Sequence, residues 1–304
     1  MVENKEQTPA ERGFPFMAVV EEYKSNPDSD GNLFTANTAQ AIAWERAIET
    51  KREDALFKDE LAQHLVGERG EKVSEMINTW ISDFTIGCPE AHDIHVRYTA
   101  ARTKLVNDHL TAWVTKMAVE GKKCQVACLG AGMDTRAFFI ESLAKVEKYT
   151  EVDVKSINDF KQKKIAESGV KAHCERSVIS MDFSKESTKD LPTHGFDPSL
   201  PTCWILEGLV MYLQEAEVHA LLKELSDLSA SGSFLILNYV NNPAVKEGFA
   251  ASDIQGMSPV LKEKGWSNEK CLWFGHESFN FGRFPEGIKQ TAMENFGFAF
   301  YDKA

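Results

Sequence analysis

The chain has 304 residues, 34 of them Lys or Arg and 46 Asp or Glu, for a formal net charge of −12, with 43% hydrophobic and 26% charged residues. That composition suits one large α/β domain with an appendage or two ordinary globular domains. It speaks against nucleic acid as a partner, because an acidic surface repels phosphate backbones and no Lys/Arg run offsets it, and no apolar run approaches the ~20 residues of a membrane span.

The first 120 residues read as all-helical. Residues 1–32 are polar and mixed in charge, so they are expected to fray and do not resemble a secretory signal. From about Thr35 to Leu65, Ala41, Trp44, Ile48, Leu56, Leu61 and Leu65 recur at helical intervals, with Thr35, Asn37 and Thr38 as candidate caps. Further helices are expected over Glu71–Phe84 and about Arg97–Glu120. After Gly121 the period changes. Strands are expected at Cys124–Leu129, Lys148–Asp153, Arg176–Ser180, Cys203–Leu206 and Ser233–Val240. Helices around Arg136–Leu143, Ile157–Glu167 and Gln214–Ser229 alternate with them, a pattern that builds a parallel sheet. The block 241–304 is different. It opens with Asn241-Asn242-Pro243, carries the aromatics Trp266, Trp273, Phe274, Phe279, Phe281 and Phe284, and ends in a strand near Phe296–Tyr301. Six scattered cysteines (88, 124, 128, 174, 203, 271) read as reduced, buried thiols of a cytoplasmic protein, with no metal site expected.

The most informative stretch is Val126-Ala-Cys-Leu-Gly-Ala-Gly-Met-Asp-Thr-Arg136, an apolar strand running into Gly130-Ala131-Gly132. Glycine there admits close approach by a ligand, and the carboxyl end of a strand is where open α/β sheets bind nucleotides. Thr135 replaces the third glycine of the dinucleotide fingerprint, which counts against NAD or FAD. No phosphate-loop motif occurs. A glycine loop without pyrophosphate chemistry suits S-adenosylmethionine.

Three acids support that reading. Glu151-Val152-Asp153 ends the second strand, and an acid there can accept both ribose hydroxyls, with Asp153 as last strand residue the better candidate. Asp182-Phe183 follows the third strand and can receive an adenine. Glu207 ends the fourth inside an apolar run, so its carboxylate needs a partner, either a ligand ammonium or an Arg.

Together these residues resemble the leucine carboxyl methyltransferase family. The resemblance is carried in order by Thr35-Ala-Asn-Thr-Ala39, Phe57-Lys-Asp-Glu-Leu-Ala62, Ala101-Arg-Thr103 with Asp108, Leu129-Gly-Ala-Gly-Met-Asp-Thr-Arg136, Glu151-Val-Asp153 and Glu207-Gly-Leu-Val-Met-Tyr-Leu213. It implies a class I methyltransferase fold: a mostly parallel, seven-stranded Rossmann-like sheet with helices, an all-helical N-terminal region (1–120) and, within 121–304, a C-terminal lid insertion at about 241–285. It further implies that Arg102 pairs with the cofactor's methionine carboxylate and Glu207 with its amino group. Gly130, Gly132 and Asp134 would bind the cofactor, with Gly130 beneath it, Asp153 would hold the ribose, and Asp182 with Phe183 the adenine. The C-terminal end departs from the phosphatase-directed branch of the family, so the acceptor is expected to be a carboxylate on a small molecule or a peptide terminus, with a hydroxyl or nitrogen as the alternative.

A carboxylate acceptor is ionised at pH 7 and needs a cationic or hydroxyl clamp, whereas a hydroxyl wants a base. Tyr212, His276 and Arg283 are the candidates for those tasks. His109 and His219 lie within helices and read as surface residues. An NAD-dependent oxidoreductase and a non-catalytic binding protein are the competing classes.

Overall fold

In a computed structural model, residues 32–84, 92–240, 254–285 and 296–304 are described. The expectations for residues 1–31, for Asn241-Asn242-Pro243 and for Cys88 lie outside them. Three helices come first: α1 (Asn32–Lys51), α2 (Gly70–Phe84) and α3 (Ile94–Val119). The helix expected up to Leu65 stops at Lys51, and only a short 3-10 turn forms at Ala62–Leu65. The third helix starts earlier than expected, at Ile94, which adds His95 to it.

The sheet contains β1 (Gln125–Leu129), β2 (Lys148–Asp153), β3 (Arg176–Ser180), β4 (Thr202–Leu206) and β5 (Phe234–Val240). Between them lie α4 (Arg136–Phe139), α5 (Lys155–Ser168) and α6 (Glu215–Asp227). The chain continues through α7 (Ile254–Glu263), β6 (Trp266–Trp273) and β7 (Phe296–Lys303). The seven strands run in the order β3-β2-β1-β4-β5-β7-β6. The first five are parallel, and β7 is antiparallel to both β5 and β6. β1 and β4 are buried at every position, as strands covered on both faces must be.

The strand β6 lies within the segment expected to be an acceptor-side insertion, and it completes the sheet edge beside β7. It was not readable as a strand because only Trp266 and Leu272 are buried along it and its register shifts between Ser267 and Lys270, so no regular alternation marks it. The aromatics that follow it pack as core: Phe274 and Phe279 are fully buried, and their rings lie 5.6 and 6.2 Å from that of Tyr98.

The strand order reverses direction between β1 and β4. That switch point opens a crevice at the carboxyl ends of the strands, where ligands of open α/β sheets bind. The loop after β1, Asp153 at the end of β2 and Glu207 just after β4 all lie on this edge.

Candidate active site

The loop after β1 folds onto β2. Gly130 and Ala131 donate to Val152 O at 2.8 and 3.1 Å, and Gly132 N–H donates to Asp153 Oδ2 at 2.6 Å. Gly130 and Gly132 have φ of +64° and +44°, a region that disfavours side chains. A Cβ on Gly130 would also meet Leu209 at 3.0 Å. The following helix is only the single turn of α4, continued as a 3-10 stretch at Glu141–Lys145, where a helix to Leu143 was expected. The loop is therefore fixed by strand and carboxylate partners and not by a long helix.

Asp153 is 8% exposed and accepts from Gly132 and, at 2.7 Å, from Val154 N–H. Burial pushes its carboxyl up, against the downward pull of those two N–H groups. Glu151, the other acid of β2, faces elsewhere. It is fully buried between Arg176 (2.6 and 2.9 Å) and Lys161 (2.7 Å), so Asp153 is the acid left at the crevice. Asp182 lies just beyond β3, but its carboxylate is already engaged by Ser184 and by Lys185 at 2.6 Å. Phe183 beside it packs half-buried on the hydrophobic core.

At the other side of the crevice, Glu207 meets two arginines. Arg102 Nε donates to one carboxylate oxygen at 2.8 Å, and Arg136 donates to the other at 2.7 Å. Burial alone would raise the Glu207 carboxyl; the two guanidiniums overcome it and hold it below the usual range. Arg102 and Glu207, expected to hold the carboxylate and the amino group of the cofactor's tail, sit side by side. Gly208, with φ +70°, takes the turn beside the pair in a backbone conformation that side chains disfavour. Asp134 does not present its acid to the crevice: its carboxylate pairs with Arg136 and accepts from Tyr149 Oη at 3.0 Å, a buried strut beneath the loop.

The residues proposed for the acceptor side fall apart as a group. Arg283 is 5% exposed and clamped to Glu49 at 2.7 and 3.2 Å, with Asp54 at 3.0 Å. Its guanidinium is a bolt between the C-terminal block and α1, not a free clamp for a substrate. His276 caps a short turn, its Nδ1 accepting from Ser278 N–H at 3.1 Å. Tyr212 is 36% exposed and 3.5 Å from Thr38 Oγ1, which leaves it at the mouth of the crevice beside α1.

A family model described as leucine carboxyl methyltransferase matches residues 39–226. The chain belongs to that family. Among its relatives, a Streptomyces coelicolor protein provisionally named an S-adenosyl-L-methionine-dependent methyltransferase is 35% identical over 79% of this chain and 81% of its own length. A Streptomyces avermitilis protein with the same provisional name matches to the same extent. Similar solved structures include a Thermobifida fusca protein provisionally named a methyltransferase (TM-score 0.47, 18% identity, 74% of this chain and 87% of that one). Another is the magnesium protoporphyrin IX methyltransferase of Synechocystis (TM-score 0.45, 13% identity, 77% and 99%).

The family motifs map onto one connected structure. The Phe57-Lys-Asp59 segment and the glycine loop are joined through Asp59, whose Oδ2 accepts from Arg46 Nε of α1 at 2.9 Å and from Thr135 Oγ1 at 2.5 Å. Arg46 also donates to Met133 O at 2.5 Å. Neither Arg46 nor Asp59 was singled out in the sequence, although Asp59, a charge inside the Phe57–Ala62 motif, was a readable signal. Asn238 was also missed: its Oδ1 accepts from Gly208 N–H at 3.2 Å and its Nδ2 donates to Tyr98 Oη at 3.3 Å, joining β5 to the Glu207 turn and α3. A polar residue inside the apolar run of β5 was its only trace.

Proposed function

We propose that this enzyme transfers the methyl group of S-adenosylmethionine to an oxygen of a small molecule or a peptide terminus. Its membership of the leucine carboxyl methyltransferase family, and the donor named in its relatives, make it an S-adenosylmethionine-dependent methyltransferase. The observation that carries the site assignment is the Arg102–Glu207 pair at the β1/β4 switch point. An ammonium and a carboxylate on one carbon are matched by a carboxylate and a guanidinium side by side, so the pair is complementary to the zwitterionic tail of the cofactor. Gly130 and Gly208 supply positive-φ turns at the ends of β1 and β4, and Asp153 stands at the end of β2 for a ribose diol.

When bound, the cofactor supplies an activated methyl on a sulfonium. The chain's own residues then need to orient it and exclude water. The family description supports a carboxylate as acceptor. The pairing of Arg283 with Glu49 and Asp54 removes the cation that a carboxylate clamp would use. That pairing favours a second reading, a hydroxyl acceptor.

Calorimetry with S-adenosylhomocysteine and NAD tests the site. The first should bind and the second should not, and Arg102→Ala should weaken S-adenosylhomocysteine about 30- to 100-fold, the scale of a lost charge-assisted contact. NAD binding, or an unchanged affinity in the variant, would overturn the assignment.

A further inference from the structure

A second cluster of polar groups lies along α3 from Arg102, and the cofactor site does not use it. Glu45 of α1 is 0% exposed, yet it is ionisable. It accepts from Ser74 Oγ at 2.6 Å and Thr99 Oγ1 at 2.5 Å, and both its oxygens lie 2.9 Å from His95 Nδ1. Asn78 Oδ1 fixes the backbone N–H of His95 at 2.9 Å. The carboxylate can only accept, so Nδ1 carries the hydrogen, and in the neutral ring the lone pair is on Nε2. Nε2 has no hydrogen-bond partner among the described residues, and the side chain of His95 is 14% exposed.

The geometry connects this pair to the cofactor site. His95, Tyr98 and Arg102 follow one another at three- and four-residue steps on α3, so they share a face. The Tyr98 ring lies 5.9 Å from that of His95 and 5.7 Å from Arg102 Cζ. Seven residues of helix set His95 about 10 Å along the axis from Arg102, the scale of an amino-acid tail followed by a reacting group.

Resting on the methyl-transfer reading above, we propose that Glu45 and His95 form the general base of the reaction, and that the acceptor is a hydroxyl or phenol. His95 Nε2 takes the acceptor's O–H proton as the oxygen bonds to the methyl carbon. The carbon–sulfur bond breaks and its electron pair stays on sulfur, which leaves as a neutral thioether. The imidazolium is paired by Glu45 until it loses its proton to solvent after product departs. Glu45 is the positioning residue, in the manner of the acid in a carboxylate–histidine pair.

The groups facing His95 are few. α1 contributes Glu45, and α2 contributes the neutral Ser74 and Asn78. Its own helix adds Tyr98 and Arg102, with Glu207 beyond, while Arg97 pairs with Asp93. Phe274 and Phe279 lie against Tyr98 and are apolar. The charge that enters the site with the cofactor is therefore the natural probe. A sulfonium carries a positive charge that S-adenosylhomocysteine lacks. A cation brought close to the ring disfavours the imidazolium, so the sulfonium should lower the titration midpoint of His95 relative to the neutral thioether.

The experiment is an NMR titration of the His95 ring in the wild-type chain, assigned with His95→Asn, with S-adenosylmethionine and with S-adenosylhomocysteine bound. A lower midpoint with the sulfonium supports the proposal; equal midpoints overturn it. Failure of either compound to bind in calorimetry would instead remove the methyl-transfer reading. Labelled methyl transfer to a panel of phenols, alcohols and carboxylic acids is the second arm. Hydroxyl compounds should be labelled, and His95→Asn should slow them by roughly 10²–10⁴-fold and abolish the neutral-pH limb of the rate profile. Labelling confined to carboxylates, or a rate untouched in His95→Asn, overturns the base. Should nothing in the panel be labelled, the titration decides.

Discussion

Glu207 was readable as an acid in need of a partner, because an apolar strand end cannot leave a carboxylate uncompensated. Its partners were only half readable. Arg102 lies 105 positions away and Arg136 lies 71, and pairing over such distances leaves no local pattern. His109 is the opposite case, a residue that helical spacing assigns to the surface. In the fold its half-buried ring stacks on Phe300 at 3.9 Å and lies 6.3 Å from Phe234. Burial first, and the nearby Lys270 second, lower its pKa from 6.5 to about 4. The folded state thus refuses a proton that the unfolded chain accepts. Stability from this group is present above pH 6.5 and is lost as the pH falls toward 4. The loss should be roughly 1–2 kcal/mol, less than the full shift implies because solvent screens a half-exposed ring. Thermal melts of wild type and His109→Phe from pH 7 to pH 4.5 should diverge, the variant losing less. Parallel curves would show that the ring titrates freely.

At the scale of the element, α1 shows why periodicity alone misplaced a face. The apolar stripe drawn through Ala41, Trp44 and Ile48 leaves Trp44 and Ile48 half-buried, while the charged Glu45, Arg46 and Glu49 are buried. Each has a tertiary partner: His95 for Glu45, Asp59 for Arg46 and Arg283 for Glu49. Strands β1 and β4 suffered no such error, since they bury mostly apolar side chains whose pattern is local. Arg283 measures the strength of this polar docking. Arg283→Ala would take the main cation from Glu49, which is 1% exposed in the fold. Breaking one side of a buried pair costs about 3–5 kcal/mol. Arg283→Lys should recover only part of that, because an ammonium cannot make the two-pronged contact with Glu49. Urea unfolding should show both losses, and calorimetry should show S-adenosylhomocysteine affinity unchanged in whatever remains folded. Wild-type stability with impaired turnover would instead return Arg283 to the acceptor.

Over the whole molecule, the helical region and the sheet meet at the cofactor loop, and Asp59 is the joint. It is 1% exposed and bridges three pieces of chain: Arg46 of α1, Thr135 of the loop after β1 and, through Oδ1 at 3.1 Å, the N–H of Ala62. Thr135 occupies the position where a dinucleotide fold would place glycine, and here its hydroxyl has a task that a glycine could not perform. The glycine loop also contacts the helices by packing, since a Cβ on Gly132 would come within 3.2 Å of Ala39. The loop's shape is therefore held from both sides, by Asp153 below and by Asp59 from the helical side. Asp59→Ala should weaken S-adenosylhomocysteine about tenfold without touching it, the equivalent of one lost hydrogen-bonded anchor. Amide exchange should quicken across Gly132–Arg136 in the same variant, and bound ligand should slow it again. If exchange and affinity both match wild type, the helices merely cover the crevice, and the loop's geometry comes from the sheet alone.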